Sequence, residues 1–370
     1  MTTARMLTTD DVEAGIAGGL FLSAGGSGRN AVAKNRMLGQ MALDYGGVRL
    51  VALDALDPDA AIITATAVGA PGFANWAIRP RDAINAARRL IDRLDKPPAG
   101  VICGHVPGFN AWLVAAALGL DYVDAAANGR GHPTVKMGGM GLASRLDLAI
   151  TQIGCSGSKA EDNELAVIAE GDIVRTSNLL RQAAVINGGL IYAARGPLSA
   201  GFIKANGAAG AISFQLDLGR AMLAARGADR IRATVAFLDG ALLVEGEVTE
   251  NTVTYANGFD LGHMKVRGSK GEAVLGVYNE FMSADFAGKR VATFPDMIGT
   301  LDPATGEVVS ISESKPGARV AVIVAHRSKF PVGKGALDPA VFPEVEDAMG
   351  VDLRSYLEPS AAGRPSVEEA

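Results

Sequence analysis

Strand-like and helix-like segments alternate along the first third of this 370-residue chain. An apolar run at 61–68 has the length of a buried strand. The apolar residues at 84–94 recur every three or four positions, as in a helix. A short strand near Val101, a helix over 111–118 and a strand through 122–124 come next. Because strands that alternate with helices form parallel sheets with both faces covered, this order predicts an α/β domain on a largely parallel sheet.

The pattern changes near residue 170, which predicts a second domain. Domains usually span roughly 100–200 residues, so a chain of this length accommodates two. We assign residues 1–170 to an N-terminal α/β domain that carries the candidate site, and residues 171–356 to a C-terminal β-rich α+β domain. Most patterns between 230 and 325 are strand-like, and Asp239-Gly240 between two apolar runs predicts a β-hairpin. Residues 357–370 are rich in Pro, Ala and Glu and are predicted to be disordered.

Charge and hydropathy exclude several classes of protein. The formal net charge is −5 and Lys and Arg form no long run, which argues against nucleic-acid binding. The longest apolar run near the centre, 111–120, is much shorter than the roughly 20 residues that cross a bilayer. The N-terminus lacks the basic-then-apolar pattern of a secretory signal, and two cysteines do not make a disulfide framework. We therefore expect a cytoplasmic protein that acts on a small-molecule substrate and binds neither nucleic acid nor membrane.

A glycine-rich segment, Gly25-Gly26-Ser27-Gly28, directly follows a predicted helix. Backbone N–H groups of such loops can bind an oxyanion or a polar ring, so Gly25, Gly26, Ser27 and Gly28 are candidate substrate-binding residues. A turn at the C-terminus of the helix explains the same glycines equally well. A dinucleotide-binding fingerprint needs a strand before the glycines, so the order found here disfavours a nucleotide-dependent enzyme.

Polar residues are concentrated between Cys103 and Met140, in two groups that each follow a predicted strand. They are Cys103, His105, Asn110, Asp124, Arg130, His132 and Lys136. In open α/β sheets the carboxyl ends of the strands face the ligand crevice, so we expect both groups to border one pocket. Two of the four histidines of the chain lie in this stretch, which makes a functional site about as well supported as isolated structural residues.

Two chemistries fit these side chains. Cys103, His105 and His132 together form a candidate Zn²⁺ site, since thiolate and imidazole are common zinc ligands. Without a metal, His105 or His132 can act as a general base, and Asp124 can orient it. A structural role for each histidine is the alternative.

A second candidate region follows the strand-like run at 274–278. It consists of Asn279, a candidate substrate-binding residue, and Glu280, a candidate catalytic carboxylate. A polar pair that simply ends a strand is the structural alternative.

Four sequence blocks, taken in order and spacing, resemble the S-methyl thiohydantoin desulfurase family over about Asp10 to Leu353. The blocks are Ala24-Gly-Gly-Ser-Gly28; Asn110 through Leu120 with Val123-Asp124 and Gly129-Arg130; Tyr278-Asn279-Glu280; and Ala292-Thr-Phe-Pro-Asp296-Met-Ile298 with Leu301-Asp302 and Thr305-Gly306-Glu307. The resemblance implies a two-part fold, with an α/β N-terminal and a β-rich C-terminal domain. It also implies hydrolysis at a five-membered nitrogen ring, where water attacks the carbon bearing S-methyl and gives a hydantoin and methanethiol.

The sequence departs from the family pattern at the predicted site. Ala126 and Pro133-Thr134 stand where family members tend to be acidic, and Arg29-Asn30 stands where Asp-Pro is common. His105 and His132 take positions where less basic residues are expected. These departures predict a different ring, a more anionic substrate, a changed metal site or a loss of activity.

We therefore expect a hydrolase of a hydantoin-like or S-methyl thiohydantoin-like ring. The candidate catalytic residues are His105, Asp124, His132 and Glu280, and the candidate substrate-binding residues beyond the glycine segment are Asn110, Arg130, Lys136 and Asn279. Zn²⁺ is the candidate cofactor, and the protein is expected to form a homo-oligomer. The alternative is a non-catalytic binding protein or partner subunit of a hydantoinase-like enzyme.

Overall fold

Two β-sheets and the helices packed on them form the part of the protein that the computed structural model describes, residues 4–70, 72, 78–157 and 163–357. The helices are α1 Thr9–Leu22, α2 Ala31–Asp44, α3 Pro80–Ile91, α4 Phe109–Leu118, α5 Ile173–Ile186, α6 Ala200–Asn206, α7 Ala211–Leu223, α8 Gly227–Phe237 and α9 Pro343–Met349. Within these ranges, no helix combines the length and the apolar character needed to span a membrane. The predicted disordered tail lies outside the described residues from 358 onward.

The strands divide between the two sheets. They are β1 Ala4–Met6, β2 Arg49–Val51, β3 Ala61–Gly69, β4 Gly100–His105, β5 Asp121–Asn128, β6 Ile150–Ser156, β7 Leu165–Gly171, β8 Leu190–Ser199, β9 Ala208–Ala209, β10 Ala241–Asn251, β11 Thr254–Ala256, β12 Phe259–Gly268, β13 Gly271–Tyr278, β14 Glu280–Phe286, β15 Lys289–Thr293, β16 Met297–Leu301 and β17 Arg319–Ala325.

The first sheet has the order β1-β2-β5-β4-β3-β8-β6-β7, with β9 beside β5. Its central strands β2, β5, β4 and β3 run parallel, and the strands on either side join antiparallel. The predicted α/β domain with parallel strands is thus confirmed. Both faces of β3 are covered, as expected for such a strand, because Ile62 on one face and Ile63 and Ala65 on the other are buried. The division at residue 170 stays a prediction, and β8 and β9 of the first sheet lie beyond that residue.

The second sheet is antiparallel and confirms the predicted β-rich C-terminal half. Its order is β15-β14-β13-β12-β10-β17-β16, with β11 beside β12. The predicted hairpin at Asp239-Gly240 is wrong, because the apolar run before it belongs to helix α8. Ile231, Thr234 and Leu238 are its buried residues, at the three- and four-residue spacing of a helix face. Asp239, with φ of 44°, ends this helix instead of turning a hairpin.

Helices α1 and α7 cross at close range because glycines face each other. A Cβ atom on Gly18 would overlap the carbonyl oxygen of Gln215, and a Cβ on Gly219 would overlap the carbonyl oxygen of Ala14. The two backbones therefore touch at this crossing. Since α1 leads directly into the glycine-rich segment, the crossing sets the position of that segment.

Gly18→Ala should lower the free energy of unfolding by about 1–3 kcal/mol, because the new methyl group meets backbone that cannot move aside. Gly39→Ala in α2 is the matched control. The atoms nearest to its Cβ would be side-chain atoms of Val12 and Phe109 and not backbone. Both changes gain the same intrinsic helix propensity. Urea denaturation of the two variants measures the difference, and a smaller loss for Gly18→Ala than for Gly39→Ala would contradict the close crossing.

Candidate active site

One pocket lies between the two sheets, at the carboxyl ends of β3 and β4. Its cavity volume is about 200 Å³, the size of a site for a small molecule. Its polar wall combines the glycine-rich segment with residues from β3, β4, β8, β14 and the loop after β5. These residues include Gly26, Ser27, Thr66, His105, Asn110, His132, Arg195, Asn279 and Glu280.

His105 ends strand β4 and faces the pocket. Its Nδ1 lies 2.7 Å from the carbonyl oxygen of Val106. Because a carbonyl oxygen can only accept, Nδ1 carries the proton in the neutral ring and Nε2 is left as the basic nitrogen. Burial lowers the pKa of His105, and the charges of Arg195 and Arg130 lower it further. The imidazole is therefore neutral at neutral pH and able to accept a proton.

His132 lies in the loop after β5, with its ring edge-on to that of His105 at 5.1 Å between centroids. Burial lowers the pKa of His132 well below its ordinary value, and His105 and Arg195 add to this effect. A Cβ on Gly138 would overlap Nε2 of His132, so this loop needs glycine there to admit the ring. Both histidines of the pair are thus held neutral.

Glu280 opens strand β14 and reaches the pocket from the second sheet. Its Oε2 is buried and has no hydrogen-bond partner in the part of the chain that the structure describes. Burial raises the pKa of Glu280 well above the usual carboxyl range, against the opposing charges of Arg130 and Arg181. The carboxyl group therefore carries a proton at neutral pH. A Cβ on Gly26 would lie 2.6 Å from Oε1 of Glu280, so the glycine-rich segment makes room for this side chain.

Asn279 ties the second sheet to the first beside Glu280. Its backbone is left-handed, with φ of 59°, a conformation that Asn tolerates better than most residues. Its side-chain oxygen accepts from the N–H of Asp260 at 2.8 Å, and its amide donates to the carbonyl of Gly69 at 3.2 Å. Asn279 therefore positions Glu280 at the end of β3.

Two further donors on the pocket wall have no hydrogen-bond partner among the described residues. The side-chain nitrogen of Asn110, in the first turn of α4, is buried and makes no hydrogen bond. Arg195 donates to the carbonyl of Gly138 at 2.5 Å, while its Nε is buried and unpaired. Burial lowers the pKa of Arg195 to about 10, which leaves it charged at neutral pH. A ligand with acceptor atoms can satisfy both groups.

Arg195 and its neighbours on β8 were not identified from the sequence. Tyr192 and Arg195 lie on this strand, and Arg181 on the preceding helix also borders the pocket. The available signal was the apolar run 190–194, flanked by Gly188-Gly189 and Gly196-Pro197, a pattern typical of a strand. Helix α2, which follows the glycine-rich segment, was missed as well.

Several predicted site residues lie away from the pocket wall. Gly25 and Gly28 border a neighbouring cleft instead. Asp124 accepts from the backbone N–H groups of Ile212 and Ser213, both at 3.0 Å, and so caps helix α7. Lys136 pairs with Glu344. The structure thus does not bring Asp124 to either histidine.

Arg130 is fully buried and does not border the pocket. Its guanidinium donates to the backbone carbonyls of Gly131, Phe281 and Asp296, the last two in the second sheet and the turn that precedes β16. The side chain therefore joins the loop after β5 to the C-terminal half. It influences the pocket through its charge near Glu280.

Of the three predicted zinc ligands, His105 and His132 lie side by side, but Cys103 does not join them. Cys103 lies against Gly108 under helix α4, and burial raises the pKa of its thiol to about 12, so it is not a thiolate. Across the described ranges, no three His, Cys, Asp or Glu side chains are grouped as a metal site requires. This arrangement does not fit a zinc ion held by Cys103, His105 and His132.

Comparisons with known proteins agree with this architecture. A solved crystal structure of a protein from Chromobacterium violaceum matches with a TM-score of 0.68 over 93% of this chain and 96% of that chain, at 21% sequence identity. At that identity the likeness shows the fold alone. No curated protein matched.

Two family models cover most of the chain. The model described as "S-Me-THD-like, N-terminal domain" matches residues 10–164, and the model described as "S-Me-THD-like, C-terminal domain" matches residues 171–338. The resemblance found in the sequence blocks is thereby confirmed. The chain belongs to the S-Me-THD-like family, the family of proteins like S-methyl thiohydantoin desulfurase.

Proposed function

We propose that this protein hydrolyses a small five-membered nitrogen heterocycle of the hydantoin or S-methyl thiohydantoin type, by attack of an activated water on a ring carbon. One observation carries the proposal: His105 and Glu280 line the same pocket, where burial lowers the pKa of the imidazole and raises the pKa of the carboxyl. A base and an acid with opposite pKa shifts are the pair that proton-transfer catalysis needs at neutral pH. Membership of a thiohydantoin-related family supports the choice of ring.

The unpaired polar atoms of the pocket support the same kind of substrate. Asn110 and Arg195 offer donors, and the protonated carboxyl of Glu280 offers a further donor. A hydantoin-like ring carries carbonyl or imine acceptors on its edge. Binding such a ring would satisfy groups whose burial is otherwise costly, because an unmade buried hydrogen bond costs about 1–3 kcal/mol.

In the proposed reaction, Nε2 of His105 takes a proton from water as the water oxygen bonds to the ring carbon that bears S-methyl. The C=N electron pair moves to the ring nitrogen, which takes the proton of Glu280. The C–S bond then breaks as the ring C=O forms, and the thiolate leaves with the proton held on His105. As the C=O forms, the hydroxyl of the tetrahedral centre gives its proton to Glu280, which restores the carboxyl. The products are a hydantoin and methanethiol. His132, at the edge of His105, keeps that ring in place.

Charge that develops on the ring during attack needs donors nearby. The glycine-rich segment and the start of helix α2 border the pocket through Gly26, Ser27 and Ala31. The first backbone N–H groups of a helix have no partner within the helix and attract negative charge. Together with the Asn110 amide they can stabilise the tetrahedral centre.

Removing either proton-transfer group should abolish most of the activity. We expect turnover by wild-type protein on a panel of hydantoins and S-alkyl thiohydantoins, followed by product chromatography and thiol release. His105→Ala and Glu280→Gln should each lower kcat about 100-fold or more. His263→Ala is the matched control, because His263 lies on β12 bonded to Glu250, away from the pocket. No turnover on any member of the panel would contradict the proposal, and a stable complex with a second protein would then favour the partner-subunit alternative.

The pH profile of kcat/KM should be bell-shaped. Activity needs His105 neutral, so it rises as pH passes the lowered pKa of that imidazole, below 6.5. It also needs Glu280 protonated, so it falls as pH passes the raised pKa of about 8. Glu280→Gln should lose the falling limb in its residual activity. A wild-type profile that already falls near pH 4–5, where ordinary carboxyls titrate, would contradict the role given to Glu280.

A further inference from the structure

The buried side chain of Gln215 connects the two chain segments that build the pocket. Gln215 lies on α7 and is fully buried. Its amide nitrogen donates to the carbonyl of Gly15 in α1 at 2.7 Å and to the carbonyl of Pro107 at 3.2 Å. Pro107 itself borders the pocket, between His105 and Asn110. One amide therefore holds both the turn after β4 and the helix that carries the glycine-rich segment.

The glycines of α1 allow this bridge to form. A Cβ on Gly19 would overlap Cβ of Pro107 and would lie 2.6 Å from the amide nitrogen of Gln215. A Cβ on Gly15 would lie 3.4 Å from the same nitrogen. The side chain of Gln215 thus passes through a gap that only glycine leaves open. The amide nitrogen in this gap donates to two carbonyl oxygens. An apolar side chain of the same volume could fill the gap but could not make these two hydrogen bonds.

Helix α7 is itself fixed at several points, so Gln215 has a rigid base. Asp124 caps its N-terminus from β5, with Ser213 Oγ also donating to the carboxylate at 2.6 Å. Arg220, five residues beyond Gln215, pairs with Asp11 of α1 at 2.5 Å. Asp124, which the sequence predicted to be catalytic, thus anchors the helix that carries Gln215.

We propose that Gln215 is a positioning residue that holds the His105–Asn110 turn against α1 and so keeps the basic nitrogen of His105 in place for the reaction. Its kinetic consequence rests on the proposed function. Its structural consequence does not, because the turn also fixes the contact between His105 Nδ1 and the carbonyl of Val106. Losing the Gln215 bridge frees the adjacent Pro107 carbonyl and lets the turn move.

The test compares Gln215→Met with Gln152→Met. Gln152 is an equally buried glutamine that bridges β6 to Thr176 of α5 at 2.7 Å and does not border the pocket. Gln215→Leu is a second variant, which is close in volume, differs in shape from Met and has no N–H to donate. The chain has four histidines, so nuclear magnetic resonance of histidine-labelled protein can follow each one, with His105→Ala identifying the signal. Urea denaturation shows whether the variants are equally stable.

In both Gln215 variants we expect the His105 signal to titrate closer to the ordinary imidazole value of about 6.5, while Gln152→Met leaves it as in the wild type. With a substrate that the wild type turns over, kcat should fall about tenfold or more with a smaller change in KM, because a small misplacement of the base slows the reaction. An unchanged His105 titration in both Gln215 variants would overturn the proposal. If the wild type turns over no substrate, the proposed function fails, but the titration still decides the role of Gln215.

Discussion

The buried guanidinium of Arg130 is the interaction on which the pocket depends. It has no exposure to solvent, and it is held by three backbone carbonyls and by the ring of Phe294 at 4.8 Å. Two of these carbonyls belong to the C-terminal half, so the charge can stay buried only while both halves are in contact. Removing a partner from a buried charge costs about 3–5 kcal/mol, which makes this contact difficult to open. The loop that carries His132 therefore has one fixed position against β14.

The same burial sets the chemistry of the pocket. Loss of water disfavours every charged form, so it lowers the pKa of the imidazoles and raises that of the carboxyl. Arg130 and Arg195 strengthen the first effect and Arg130 limits the second. A neutral base and a neutral acid then face one cavity at the same pH. Their opposite shifts arise from a common cause, the loss of water on burial.

Much of the fold and part of the site could be predicted from the sequence. The positions of β3, β4 and α4 follow from the spacing of their apolar residues and the length of each apolar run. His105 lies at the end of β4, where the sequence predicted it. Asp124 was misplaced because β5 continues to Asn128, which puts Asp124 inside the strand and beside α7. Periodicity indicates that a strand is present but locates its end poorly.

Other parts of the site depend on contacts that no local pattern contains. Glu280 and Gly26 are in contact although more than half of the chain separates them in the sequence. Only the folded structure shows that position 26 needs glycine. Arg195 was missed with its strand, whose place between β3 and β6 follows from long-range pairing. Gln215 resembles any helical glutamine in the sequence. Its role follows from the glycines of another helix.

The most direct test of this account is the protonation state of Glu280 in the folded protein. Infrared difference spectra between wild type and Glu280→Gln, recorded over a pH titration, isolate the carbonyl stretch of that one protonated carboxyl. The account predicts that this band is present at pH 7 and disappears only at higher pH, because burial raises the pKa of the group. A band that is already lost below pH 5 would show an ordinary carboxylate and would contradict the pairing of a neutral acid with a neutral base.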